Sequence, residues 1–362
     1  MKRDYPIDLF RILATILVIL LHVLGQGGIL QAAAPGQATY WTGWFFEIMA
    51  YCAVNCFALI SGYIMVDKRI KLKNIIARWI QVLFYSLLIS TLFFAFVPET
   101  RTLWNVAVAV LPVTGKQWWY ISAYFALFFF IPLLNKAIHH ISQATYRKFL
   151  LVILVGVCLI DRIIPMDSFS LSGGYSAAWL ILVYLFGAYI KKYQVYEKIT
   201  ALKSALGFLG MTVLTFLSKF TLYFATEKVL GEVKYDETLV SYTSVTILLA
   251  SVFLLMLCLK IKIGGFAQAI IRWFAPMTLG VYLIHVHPLV FEYIVKDAFV
   301  ALALQHPARM VISALGWTLA LFLLCSALDF YRIKLFGLIR IDRLCEWADR
   351  KINHLYCKAF QK

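Results

Sequence analysis

Arg11 and His22 stand eleven residues apart in the first long apolar run of the chain, with Thr15 the one polar side chain between them. At about 100° per residue, eleven positions make about three helical turns, so a helix sets both on one stripe, about 16 Å apart along its axis. Asp8 and Thr15 fall near the same stripe. Ionisable groups in hydrocarbon are costly unless they face protein or water. A stripe of them in a greasy helix therefore points into a polar cavity that reaches from one membrane face toward the other. Guanidinium can grip an anion, and imidazole can take or give a proton. Each residue alone has a plainer reading. Arg11 would snorkel to headgroups with Asp8 as its i,i+3 partner, and His22 would hydrogen-bond between helices. Snorkelling does not require a histidine in register, so the shared stripe weighs against the plainer pair.

Further polar residues punctuate later runs. Ser61 and Gly62 close the second one; serine can hydrogen-bond across helices, and glycine admits a backbone or a ligand at close range. Lys68, Arg69, Lys71 and Lys73 follow, with Arg78 one turn into the third run. This dense basic cluster could hold the phosphates of a nucleotide-bearing molecule, although topology alone explains the loop charges. Trp118-Trp119-Tyr120 opens the fourth run as an interfacial aromatic belt or a stacking surface for a sugar ring. Tyr282-Leu283-Ile284-His285 sets a histidine at mid-membrane depth, while His287, on another face, reads as structural. Glu47, near the outer end of the second run, is placed to orient an imidazole.

The elements that must position these groups are membrane helices. Of 362 residues 62% are hydrophobic and 14% charged, against about 45–50% and 25% in soluble domains. Runs long enough to cross the bilayer fall near 7–25, 44–66, 75–97, 118–135, 148–165, 176–190, 201–225, 239–259, 276–295 and 307–328. The segment 103–111 is too short to span and reads as re-entrant or interfacial. With the N-terminus inside, cytoplasmic segments hold 24 of the 34 Lys and Arg residues and outer loops hold 7. That bias supports ten spans with both termini cytoplasmic. The net charge of +16 is thus mainly topogenic, with membrane lipid headgroups as its partner; no nucleic-acid module is present. The fold class is an all-α polytopic transmembrane bundle over 1–330, with residues 331–362 a basic amphipathic tail on the cytoplasmic surface. The acidic outer loop 226–238 reads as a solvated loop, with contact to a substrate as the alternative. Seven cysteines without a CxxC pair read as packing residues, with no disulfide framework and no metal site. The N-terminus resembles a signal peptide, but Arg11 and His22 interrupt its apolar core.

Taken together, Arg11-X10-His22, Ile60-Ser61-Gly62-Tyr63, the basic segment before the third span, the Trp-rich start of the fourth and Tyr282-Leu283-Ile284-His285 resemble, in order, the acyltransferase-3 family of integral membrane acyltransferases. The resemblance runs from about residue 4 to 330. It implies about ten helices in a bacterial plasma (inner) membrane. It also implies transfer of an acyl group, usually acetyl, from cytoplasmic acetyl-CoA to a hydroxyl of a surface glycan, lipid-linked glycan or other envelope acceptor. Its essential basic residue and histidine map onto Arg11 and His22. Its Arg-X-X-Arg motif aligns with Arg78-Trp79-Ile80-Gln81, where Gln81 replaces the second arginine; Lys73 and Arg69 are nearby charges for the CoA phosphates. Many members carry a further hydrolase-like domain, so acceptor handling here falls to the chain itself or to a separate protein partner.

The implied chemistry assigns His22 as general base or acyl carrier and Arg11 as donor-orienting group. Ser61 would be an oxyanion donor, and Trp118, Trp119, Tyr120, His285 and Glu47 would contact the acceptor. The competing reading is a transporter or flippase of a small polar substrate, in which Arg11, His22, Asn55 and His285 line a path. A regulatory module with a degenerate site is a third.

Overall fold

The computed structural model describes residues 3–163 and 167–360, and the described residues form helices, turns and loops without strands. Helix α1 (Tyr5–Leu21) starts where Asp4 accepts a hydrogen bond from the Ile7 N–H and Pro6 fits the first turn. It runs into a π-helical turn, His22–Gln26, closed by the Gly27 N–H on the His22 carbonyl at 2.7 Å. Gly28, at φ +91°, then turns the chain back.

After α1 come α2 (Ala38–Met65, broken at Tyr51–Cys52), α3 (Leu72–Phe96), the short α4 (Leu103–Val110), α5 (Trp119–His140) and α6 (Gln143–Ile163). There follow α7 (Ala177–Tyr193), α8 (Ala201–Leu230), α9 (Val245–Lys260), α10 (Gly265–His285), α11 (Pro307–Leu338) and the tail helix α12 (Ile341–Phe360). Eight of these are long and apolar enough to cross a membrane. Two shorter helices, α7 of 17 residues and the apolar α9 of 16, pack among them.

Helix α10 departs from the expectation. The apolar run suggests a span at 276–295, but the helix covers Gly265–His285 and stops there. Pro288 cannot donate to a continuing helix, and the chain turns at Val286–His287. The stretch 265–274, read as part of a loop, is an amphipathic helix exposing Phe266, Ile270 and Trp273. His285 therefore ends a helix instead of sitting in the middle of one.

Two glycines allow the closest helix contact. A Cβ on Gly62 of α2 would lie 2.0 Å from the Tyr184 carbonyl oxygen of α7, and one on Gly187 would lie 2.1 Å from that of Leu59. Small residues let backbones meet in this way where lipid supplies no hydrophobic drive. Asn55, fully buried in α2, accepts from the Trp179 indole N–H at 2.8 Å and donates to the Tyr242 carbonyl at 2.9 Å. It ties the loop before α9 to the bundle. On the far side, Asp329 of α11 accepts from Tyr85 of α3 and from Arg332.

The acidic loop after α8 is held rather than free. Lys219, buried within α8, reaches Asp236 at 2.5 Å and Glu237 at 3.3 Å and lies 3.6 Å from the Trp44 ring centre. Paired carboxylates answer its buried charge, which corrects the reading of that loop as merely solvated. Helix α12 rests against the start of α3, with Cys345 buried and Lys73 bonded to Glu346 at 3.1 Å. Its outward residues Leu344, Trp347 and Ile352 are exposed among Arg343, Arg350 and Lys351. The six described cysteine side chains are free and buried.

Candidate active site

A cavity of about 700 Å³ lies between α1, α2, α3, α5 and α10. The stripe on α1 forms one wall: Arg11, Val18, His22 and Gln26 all line it, as the eleven-residue spacing requires. Arg78 and Gln81 of α3 line it too. Asp8 accepts from Arg11 Nη1 at 2.9 Å and from Arg3 Nε at 2.5 Å. One N–H of five is thereby used, leaving the Arg11 fork with donors to spare. Gln81 keeps a buried Nε2 without a partner.

His22 sits on the same stripe about three turns further along, where α1 enters its π turn. Such turns recur at functional sites. Its Nδ1 is buried and unpartnered. The ring lies 5.2 Å from that of His285 and 5.7 Å, edge-on, from Phe291. Glu47 also lines the cavity, and its carboxylate rests against the next turn of α1. A Cβ on Gly25 would come within 3.2 Å of Oε1, and Oε2 has no partner. No hydrogen bond joins Glu47 to the imidazole among the described contacts.

Ser61 lines the cavity with its Oγ 2.9 Å from the Phe57 carbonyl and 3.1 Å from the Tyr124 hydroxyl. A carbonyl only accepts, so the single serine proton goes to Phe57 and Tyr124 donates to Ser61. Ser61 then has no proton left for an oxyanion. Tyr120, another residue of the cavity wall, has a buried hydroxyl without a partner.

Trp119 and Tyr120 line the cavity and Trp118 does not. Trp118 is buried behind it, edge-on to His287 at 5.4 Å. His287 is fixed in its own network. Its Nδ1 accepts from the Leu289 N–H at 3.2 Å, so Nε2 carries the proton and faces the Gln117 amide at 2.7 Å. That assigns the amide oxygen to His287 and its nitrogen to Ser86, whose Oγ donates to the Ala109 carbonyl at 2.8 Å. The structural role expected of His287 follows. Lys73, spent on Glu346, and Arg69, exposed in the loop before α3, lie outside the cavity wall. His285 is also outside it, seated behind His22.

Several lining residues carry no signal in the sequence: Tyr124, Tyr175 and Tyr242 are ordinary aromatics of a membrane chain. Together they extend the cavity to the acidic-loop end. Trp119 lies 4.5 Å from Tyr175, and Tyr242 lies 5.1 Å from Tyr175 and 5.0 Å from Tyr51. Beyond these rings a second pocket of about 270 Å³ shares Tyr51, Tyr175 and Tyr242 with the first and adds Arg162, Glu237 and Ser241.

A multi-pass helical protein whose cavity is lined by arginines and by a cluster of aromatic rings fits the membrane proteins that bring two substrates together within a bilayer. The family model described as "Acyltransferase domain", that of acyltransferase 3, matches residues 4–328, and the chain belongs to that family. No curated protein and no solved structure matches the chain. It is a multi-pass membrane acyltransferase.

Proposed function

We propose that the protein transfers an acyl group, acetyl being the expected one, from cytoplasmic acyl-CoA to a hydroxyl of an extracytoplasmic glycan. The observation that carries this reading is the placement of His22 partway along one cavity, with Arg11 and Arg78 on its basic side and a cluster of aromatic rings on the other. CoA is too large and too charged to cross, so its phosphates stay with the arginines as charge-assisted pairs. Its thin pantetheine arm follows the α1 stripe for the roughly 16 Å between Arg11 and His22. The acceptor enters from the other end, where Trp119, Tyr175 and Tyr242 offer ring faces to a sugar and Arg162, Glu237 and Ser241 offer polar partners.

At the meeting point His22 acts as general base. Its unprotonated nitrogen takes the proton of the acceptor hydroxyl as the oxygen attacks the thioester carbonyl. The tetrahedral oxyanion is met by the Tyr120 hydroxyl. The C–S bond then breaks, the thiolate takes the proton from the imidazolium, and the ester and free CoA leave by opposite ends. Arg11 orients the donor.

The test uses inside-out membrane vesicles given acyl-labelled acetyl-CoA, with wild type and His22→Ala at matched protein level. Base-labile label on glycan that disappears in the variant is the expected result. Full labelling in His22→Ala, or no label with acceptor present, overturns the proposal. The second outcome favours substrate movement without acyl chemistry.

A further inference from the structure

His285 has one ring nitrogen whose role is fixed. Nδ1 lies 2.6 Å from the Val281 carbonyl oxygen, which can only accept, so Nδ1 carries the proton and Nε2 of the neutral ring is a lone pair. That Nε2 is buried and has no partner. The neighbouring ring is that of His22, whose buried Nδ1 is also without a partner. A buried polar atom left unpaired is costly, and here two such atoms belong to rings in contact. Their centroids are 5.2 Å apart and their planes are inclined at 51°. Two imidazoles joined by a straight N–H···N bond of about 3 Å have centroids about 5.3 Å apart. The centroid spacing is thus that of a bonded pair, and because Val281 holds the His285 ring, the bond forms when the His22 ring turns its Nδ1 toward that Nε2. Catalytic hydrogen bonds are often loose without substrate and tighten when it binds.

We infer that His285 is a positioning residue: its Nε2 accepts the Nδ1 proton of His22 and so holds His22 in the tautomer whose Nε2 lone pair faces the cavity. This rests on the reading of His22 as the base. An imidazole free to take either tautomer presents an N–H to the substrate part of the time, and the wrong tautomer is inactive as a base. The main-chain bond to Val281 makes His285 a one-way acceptor, because its own proton is already committed. Glu47 is the other group near α1 with an unpaired oxygen, but it lies against Gly25 one turn further on, whereas His285 touches the ring itself.

The test combines a spectroscopic and a kinetic measurement on the full-length protein in bilayers. Solid-state NMR of ¹⁵N-histidine-labelled protein, with the His22 signals assigned by their loss in His22→Ala, should show His22 protonated on Nδ1. In His285→Phe the signal should shift to the Nε2–H form or to a mixture. In the same variant kcat should fall about 10- to 100-fold, a part of the roughly 100- to 10,000-fold that a positioned proton-transfer group contributes, with KM for acyl-CoA and acceptor changed less than threefold. His285→Gln, whose amide oxygen reaches the place of Nε2, should recover most of the loss, and Glu47→Gln should leave the tautomer unchanged. Nε2 protonation of His22 in the wild type overturns the inference. So does a His285→Phe enzyme with kcat within twofold of normal, or a Glu47→Gln variant that alone switches the tautomer. If the NMR result holds while His22→Ala remains active, the pairing stands and the base role fails.

Discussion

Asp329 is a buried charge on which three helices of the bundle converge. It is fully buried, and it accepts the Tyr85 hydroxyl at 2.6 Å, Arg332 Nε at 2.9 Å and Arg332 Nη2 at 2.7 Å. It also fills the space of a missing side chain, since a Cβ on Gly280 would fall 1.9 Å from Oδ1. The carboxylate thus fastens α3 and α11 against the very helix that carries His285. Asp329→Asn keeps the shape and removes the charge, leaving the Arg332 guanidinium, 11% exposed, without its counter-ion. Removing one partner of a buried pair costs about 3–5 kcal/mol. At about 2.1 cal/mol/K per residue over 362 residues, that lowers Tm by about 4–7 °C. The drop will be larger if helices persist after unfolding in detergent, because the entropy change is then smaller. The six buried cysteines supply the assay, thiol labelling during a thermal ramp. Adding Arg332→Met removes the stranded charge while its chain still packs on Phe336, and should restore about half the loss or more. A single variant within 1 °C of wild type, or a double variant no better than the single, refutes the argument.

Two further outcomes are expected. Gly62→Ala forces α2 and α7 apart, because its Cβ would stand 2.0 Å from a backbone oxygen that cannot yield; overpacking of this kind costs about 1–3 kcal/mol, and purified protein should show a lower Tm or aggregate, whereas unchanged stability and activity would contradict the packing. Gln81→Arg adds a charge to the cavity wall beside Arg78, and a charge-assisted bond to a phosphate, worth about 1.5–3 kcal/mol, should lower KM for acyl-CoA at least about tenfold with kcat little changed; a raised KM in well-folded protein would remove the donor phosphates from that end.

The bundle could be read from the chain because hydropathy and the positive-inside bias report the same physical fact, the cost of charge in hydrocarbon. They misplace α10 for an equally physical reason. Hydropathy sums residues without regard to direction, so the amphipathic 265–274 looks like a loop and the apolar 286–295 looks like a span. Only the missing N–H of Pro288 marks the true end. Lys219 shows the same blindness: a lysine inside an apolar run signals a partner without naming it, and Asp236 and Glu237 become that partner only once the loop has folded back.

The site divides along similar lines. Arg11 and His22 could be paired from their spacing because the helix between them is regular, and Gly62 could be given a role because close approach demands glycine whatever the partner. His285 could be noticed as a histidine in a greasy run, but its relation to His22 depends on where α10 stops, and there hydropathy fails. Ser61 illustrates the limit from the other side. A hydroxyl in a cavity wall looks like an oxyanion donor until its one proton is traced to the Phe57 carbonyl. The chemistry of a polar group within a membrane is decided by which of its hydrogen bonds are already taken, and that accounting needs neighbours from helices far away in the sequence.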